Sequence, residues 1–98
     1  ANANARNTVI EDVDFSNVKD GEYIGEASLP PVRAKTKVIV ENGTVVDIEL
    51  LEHFYMKGEP AESIVDDVVE NQTLDVDVVS GATVSSKSIL KSIENALK

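Results

Sequence analysis

The chain has 98 residues, a formal net charge of −9, no cysteine and one histidine. This excludes disulfides, thiolate metal sites, thiol nucleophiles and histidine-cluster metal sites, and it disfavours nucleic acid and anionic membrane surfaces as partners. A hydrophobic content of 42% over this length fits one small ordered domain.

No stretch is long and apolar enough to span a bilayer, and no signal peptide is seen. Ala1 to Asn7 is low in complexity and is expected to be a mobile tail. Val9, Ile10, Val13, Phe15 and Val18 follow at irregular spacing, so residues 1–19 are expected to form a flexible or irregular segment, some of it lying over the core. The folded domain is expected over 20–98.

Gly21 to Ser28 predicts a first strand, with Tyr23, Gly25 and Ala27 on one face. Gly25 inside a strand marks either sheet geometry, the expected reading, or a close approach by another group. Leu29-Pro30-Pro31 ends the strand, because proline cannot donate to a ladder. Two β-rich runs from Ala34 onward then flank Glu41-Asn42-Gly43, a hairpin signal. A two-residue Asn-Gly loop places Val38 opposite Asp47 and Lys37 opposite Ile48, which mixes the faces. A three-residue loop with Gly43 left-handed pairs Val38 with Val46, Thr36 with Ile48 and Ala34 with Leu50, and sets Lys37 against Asp47 and Lys35 against Glu49. Each sorted pair contributes roughly 0.2–1 kcal/mol, so the three-residue loop is the expected one.

His53-Phe54-Tyr55-Met56-Lys57-Gly58 is expected to leave the third strand as a loop. Pro60 suits the first position of a helix, and Glu62 complements its dipole there. Ile64, Val65, Val68 and Val69 share one helical face despite their β-branching, predicting a helix over about 60–70 that ends near Asn71. Asp66, Asp67 and Glu70 would then crowd its unfavourable end. The last helix has its apolar stripe at Ile89, Leu90, Ile93, Ala96 and Leu97. Glu94 and Lys98 are spaced for an exposed ion pair. The predicted fold is α+β: an antiparallel three-stranded meander packed with two helices.

Between those helices lies the stretch that reads as chemistry, Asp77-Val78-Val79-Ser80-Gly81-Ala82-Thr83-Val84-Ser85-Ser86. The apolar run stops at Ser80-Gly81 and an amphipathic segment starts near Ser85. Small and hydroxyl-bearing residues thus crowd a turn that opens a helix, where unpaired amides at the positive end of the dipole suit a phosphate. The plain structural alternative is capping by Ser85 or Ser86.

Ser80-Gly81-Ala82-Thr83, with Asp77 three residues upstream and a hydroxyl-rich helix start after it, resembles the FMN-binding domain family. That family includes the flavin-carrying subunits of sodium-pumping NADH:quinone oxidoreductases and related extracytoplasmic electron carriers. The resemblance extends from Asp20-Gly21-Glu22-Tyr23-Ile24-Gly25 through Asn42-Gly43 and Gly58-Glu59-Pro60-Ala61 to the last helix. It implies FMN esterified through its phosphate to the Thr83 hydroxyl by a flavin transferase that uses FAD and magnesium. Ser80, Gly81, Ala82, Asp77, Ser85 and Ser86 would surround the cofactor, with His53 as a further contact. The domain would be an electron carrier rather than an enzyme, with redox donor and acceptor proteins as partners and an extracytoplasmic location. In a chain this acidic, the bound flavin is expected to have a lower midpoint potential than free FMN, partly recovered by salt. Two other functions bear weighing: a small extracellular binding or interaction module without covalent cofactor, and a hydrolase in which Ser80 would have only His53 as its imidazole base.

Overall fold

The computed structural model describes residues 8–54 and 59–98. Three strands, β1 (Gly21–Leu29), β2 (Val32–Glu41) and β3 (Thr44–Phe54), form an antiparallel sheet in the order β1-β2-β3. A 3-10 turn, Glu59–Ser63, leads into helix α1 (Ile64–Asn71), and helix α2 (Thr83–Leu97) closes the chain. The expected α+β meander with two helices is the observed fold. Tyr55 to Gly58, the larger part of the expected aromatic loop, lies outside the described residues. His53 and Phe54 themselves belong to β3, so the strand runs further than expected.

The hairpin register differs from the expected one. Glu41 pairs with Thr44, leaving a two-residue Asn42-Gly43 turn with φ of 54° and 73°, the paired positive values of a type I′ turn. The faces still sort, because Val46 is bulged out of the ladder. Beyond it Val38 pairs with Ile48, Thr36 with Leu50 and Lys37 with Glu49. A second irregularity skips Leu51, so that Ala34 pairs with His53 and Lys35 with Glu52. The bulge at Val46 restores the in–out parity that a two-residue turn alone would break, and the one at Leu51 shifts the register once more, which keeps Glu52 beside Lys35 and His53 beside the buried Ala34. Val46 and Leu51 are both 44% exposed, as residues displaced from the ladder should be.

The core lies between the inner face of the sheet and the two helices. Val38, Val40, Val45 and Ile48 meet Ile64, Val68, Ile89, Leu90 and Ile93 there. The predicted stripe of α2 is buried at Ile89, Leu90, Ile93 and Ala96, but Ser85, Ser86, Ser88 and Ser92 are buried beside it. The reason is the short distance between α2 and the sheet. A Cβ on Gly25 would collide with the Ser92 carbonyl oxygen and the Ala96 amide, and would lie 2.8 Å from the Ala96 Cα. The glycine therefore clears a helix and not a flavin. The serines fit the same gap and satisfy their hydroxyls across it: Ser92 Oγ is 3.0 Å from Thr36 Oγ1, and Ser88 Oγ donates to the Ala27 carbonyl at 3.3 Å.

The α-helical part of the first helix begins at Ile64, which puts Asp66 and Asp67 in its first turn, where they complement the dipole. Only Glu70 remains near the unfavourable end. Gln72, left-handed at φ 55°, stops α1. Its side-chain amide accepts from Val45 N at 2.9 Å and donates to Val45 O at 2.8 Å, pairing with the β3 backbone as another strand would.

The segment before β1 packs on this body. Phe15 is buried in a 3-10 turn, and Ile10, Val13 and Val18 are packed against the core. Two carboxylates hold it. Asp12 accepts from Thr73 Oγ1 at 2.6 Å and Leu74 N at 2.9 Å. Glu94, expected in an exposed pair, is instead 3% exposed; it accepts from Glu11 N and Lys91 Nζ, both at 2.8 Å, with Lys98 Nζ at 3.6 Å. Lys98 also pairs with Glu11. The helical spacing was read correctly, but the N-terminal segment covers that face.

Both carboxyl groups are stronger acids than usual, their pKa values held below the ordinary ones. For Asp12 the hydrogen bond from Thr73 is the largest cause and outweighs partial burial. For Glu94 burial is the largest single influence and opposes ionisation, but Lys91, the Glu11 amide and Lys98 together overcome it. The folded state therefore binds fewer protons than the unfolded chain in acid, and stability is lost as pH falls through the depressed folded values. The urea midpoint should hold steady above about pH 5 and fall below about pH 4, with a shallower fall in Glu94→Gln. Gly25→Ala should cost about 1–3 kcal/mol in the same assay, because the added methyl meets helix backbone that cannot rotate away.

Candidate functional site

The loop from Thr73 to Ala82 carries the chain from α1 to α2. Leu74 is buried, Val76 and Val79 pack against the core, and Val78 is exposed. The loop closes in a tight turn, Val79-Ser80-Gly81-Ala82, with Ala82 N donating to Val79 O at 2.9 Å. Gly81 has φ 81°, the value required at the third position of a type II turn and strained for other residues. No atom lies within 4 Å of where a Gly81 Cβ would be. The glycine answers the backbone and leaves the space beside it open.

Thr83 is the first residue of α2 and is half-buried. The residue before it, Ala82, is the N-cap and has no side-chain acceptor to offer, so neither Ser85 nor Ser86 is the cap. The first helical bond recorded at this end is Ser86 N to Ala82 O at 2.9 Å. The amides of Thr83, Val84 and Ser85 therefore precede the ladder and have no intrahelical acceptor. The first turn contains no acidic side chain, so nothing on the helix itself competes for the positive end of the dipole.

Ser86 holds the corner together. It is fully buried, its Oγ donating to Ala82 O at 2.8 Å and accepting from Val79 N at 2.9 Å. One hydroxyl thus links both ends of the turn to the second turn of the helix. Ser85 is also buried, while Ser80, Gly81 and Asp77 are exposed. Among the described residues no hydrogen bond ties the Asp77 carboxylate to the corner; the loop is held by Ser86.

His53 sits at the far end of β3, paired with Ala34. Its imidazole is 1% exposed, and Nδ1 is 3.0 Å from Glu62 Oε2. Glu62 belongs to the 3-10 turn Glu59–Ser63, which packs against α2. The pair therefore connects the end of the sheet to the helix that carries Thr83. Among the described residues no hydrogen bond joins His53 to Ser80, so the serine has no imidazole base in contact. No group of three or more acidic or histidine side chains among the described residues is placed to hold a metal.

Chemically the corner offers a hydroxyl at a helix opening, amides without an intrahelical acceptor around it, and space over Gly81. That set fits a phosphate monoester: the amides accept its charge, the missing Cβ lets it approach, and the hydroxyl can be its point of attachment. The role of Ser86 was not legible in advance, since a hydroxyl three residues into a helix is normally read as a candidate cap.

Comparison with known proteins adds a family. The model of the FMN-binding domain matches residues 30–98, from the β1–β2 turn through α2. A search of curated proteins returned no match.

The arrangement gives Ser86 a structural weight that can be measured. Ser86→Ala leaves Val79 N and the turn without their buried partner and should lower stability by about 1–2 kcal/mol. Ser80→Ala, on the exposed side of the same turn, should change it by less than about 0.5 kcal/mol. Urea denaturation of the two variants separates them.

Proposed function

This chain belongs to the FMN-binding domain family, and from that premise we propose that it is an extracytoplasmic electron carrier holding FMN as a phosphoester on Thr83. The observation that supports the attachment point is the corner itself: a half-buried threonine hydroxyl at the opening of α2, beside unpaired amides and the open space over Gly81. FMN is the cofactor the family implies, and when bound it supplies the electron-transfer chemistry.

The residues of the chain have three tasks. Thr83 provides the oxygen that carries the cofactor. The amides of the first turn and the dipole of α2 stabilise the phosphate charge. Ser86 keeps the Val79–Ala82 turn closed, so that the phosphate site exists before the cofactor arrives. Asp77, exposed on the approach to the corner, is accessible to a modifying enzyme that must orient the Thr83 hydroxyl.

Attachment balances as a phosphoryl transfer. Thr83 Oγ1 forms a bond to the flavin-side phosphorus of FAD, the pyrophosphate P–O bond breaks, and AMP leaves with the electron pair. The hydroxyl proton passes to a base of the flavin transferase, whose magnesium ion offsets charge on the pyrophosphate. The chain is thus the substrate of one enzyme and a carrier between a redox donor and an acceptor protein. A covalent tether suits a carrier outside the cytoplasm, where dissociated FMN would be lost.

Co-expression with a flavin transferase should raise the intact mass by that of FMN less one water, and the colour should survive denaturation. Thr83→Ala should remain colourless at its unmodified mass while keeping the far-UV circular dichroism of the parent. Flavin retained by Thr83→Ala would move the attachment point elsewhere, and an unmodified parent chain would remove the covalent carrier.

A further inference from the structure

The segment before β1 runs beside α2, and one of its contacts lies next to the corner. Thr8 O accepts from Lys87 Nζ at 2.9 Å, the Glu11 amide donates to Glu94 at 2.8 Å, and Lys98 pairs with Glu11. Contacts at 87 and then at 94 and 98 follow the helix axis, so Thr8 lies toward the N-terminal end of α2. Lys87 comes four residues after Thr83 in the same helix. Side chains at that spacing are neighbours on one face, with Cβ atoms roughly 5–6 Å apart, and helical side chains lean toward the N-terminus. Lys87 is half-buried, as Thr83 is. From Thr73 to Ser86 the sequence has no lysine or arginine, so Lys87 is the first cation after the corner.

We propose that Lys87 is a positioning residue for the FMN joined to Thr83: its ammonium pairs with the phosphate, and Thr8 O steadies it there. An ammonium has three N–H donors, enough to engage a carbonyl and a phosphate oxygen together. The four-carbon stem of a lysine covers the roughly 6 Å of helix rise between residues 87 and 83. The pairing is also what the charge balance asks for. A phosphate esterified on both sides keeps one negative charge, and it enters a chain of net charge −9, with Asp77 exposed on the loop before the corner. The first-turn amides and the helix dipole answer part of that charge. A cation at contact distance makes hydrogen bonds roughly twice as strong as neutral donors do.

A lysine that only fastened the N-terminal segment would leave a different mark. Its bond to Thr8 O exists without flavin, so removing it would cost the same stability in the flavinylated and unmodified chains. Removing a partner of the phosphate costs more once the flavin is attached. The difference between the two costs isolates the pair, as a double-mutant cycle does.

This inference rests on Thr83 as the anchor, and the experiment separates the two. The full chain and its Lys87→Gln, Lys87→Met and Lys87→Arg variants are prepared both unmodified and co-expressed with a flavin transferase, and checked by intact mass. Lys19→Gln is the control, since it removes the same charge from an exposed position of the N-terminal segment. Urea unfolding gives a folding constant for each form. The loss caused by Lys87→Gln or Lys87→Met should be roughly tenfold greater in the flavinylated chain than in the unmodified one. Lys87→Arg, which keeps the charge, should bring that ratio below about threefold, and Lys19→Gln should hold it below about twofold. Flavin uptake that fails in the Gln and Met variants and returns with Arg also supports the pair; failure with Arg as well overturns it. Equal losses in the two forms, with flavin attached, overturn the role of Lys87 and leave the anchor standing. Absence of attached flavin in the parent chain overturns both.

Discussion

The structure depends on how closely α2 lies on β1. Gly25 permits it: helix backbone occupies the volume that any side chain at that position would need. Once the helix is that close, its facing positions must be small, and serines fill them at 88 and 92, with hydroxyls bonded to Ala27 O and to Thr36 Oγ1. A larger separation would let α2 shift along the sheet, and the corner at its N-terminus would shift with it. The position of Thr83 is thus fixed by a contact well inside the helix. A site on a rigid element is held more precisely than one on a free loop.

Around that contact the chain uses polar side chains as fasteners where apolar area is scarce. Gln72 pairs with the backbone of Val45, Asp12 holds Thr73 and Leu74, and Glu94 gathers the Glu11 amide with Lys91. Each joins parts of the chain distant in sequence, and each replaces solvent on a backbone or charged group that packing has partly buried. The helices and the N-terminal segment are tied down this way with only 98 residues available. The fasteners also make the domain sensitive to acid, since two of them act only when ionised.

Phosphate recognition asks for unpaired amides and small residues, which the opening of α2 supplies without any basic side chain in its first turn. The acidity of the remaining surface bears on encounters with partner proteins, because its field reaches only a short way through physiological salt.

Local pattern sufficed for several features of this protein. Alternation marked β1, the i, i+1, i+4, i+5 spacing marked α1 against its β-branched composition, and the Ser80–Thr83 stretch marked a helix-opening corner together with its family. Those signals are legible because each depends on residues within one turn or one strand of each other. What tertiary structure decided is what involves residues far apart. The expected register was not the one formed: bulges at Val46 and Leu51 sorted the faces on a two-residue turn that by itself would have mixed them, because parity across a ladder can be reset anywhere along it. Gly25 proved to clear a helix 67 or more residues away in the chain, Glu94 was buried by a segment that precedes β1, and Ser86 became the clasp of the corner in place of a cap. A glycine, a carboxylate or a hydroxyl carries little information about which distant backbone will come to meet it, and that meeting defined its role.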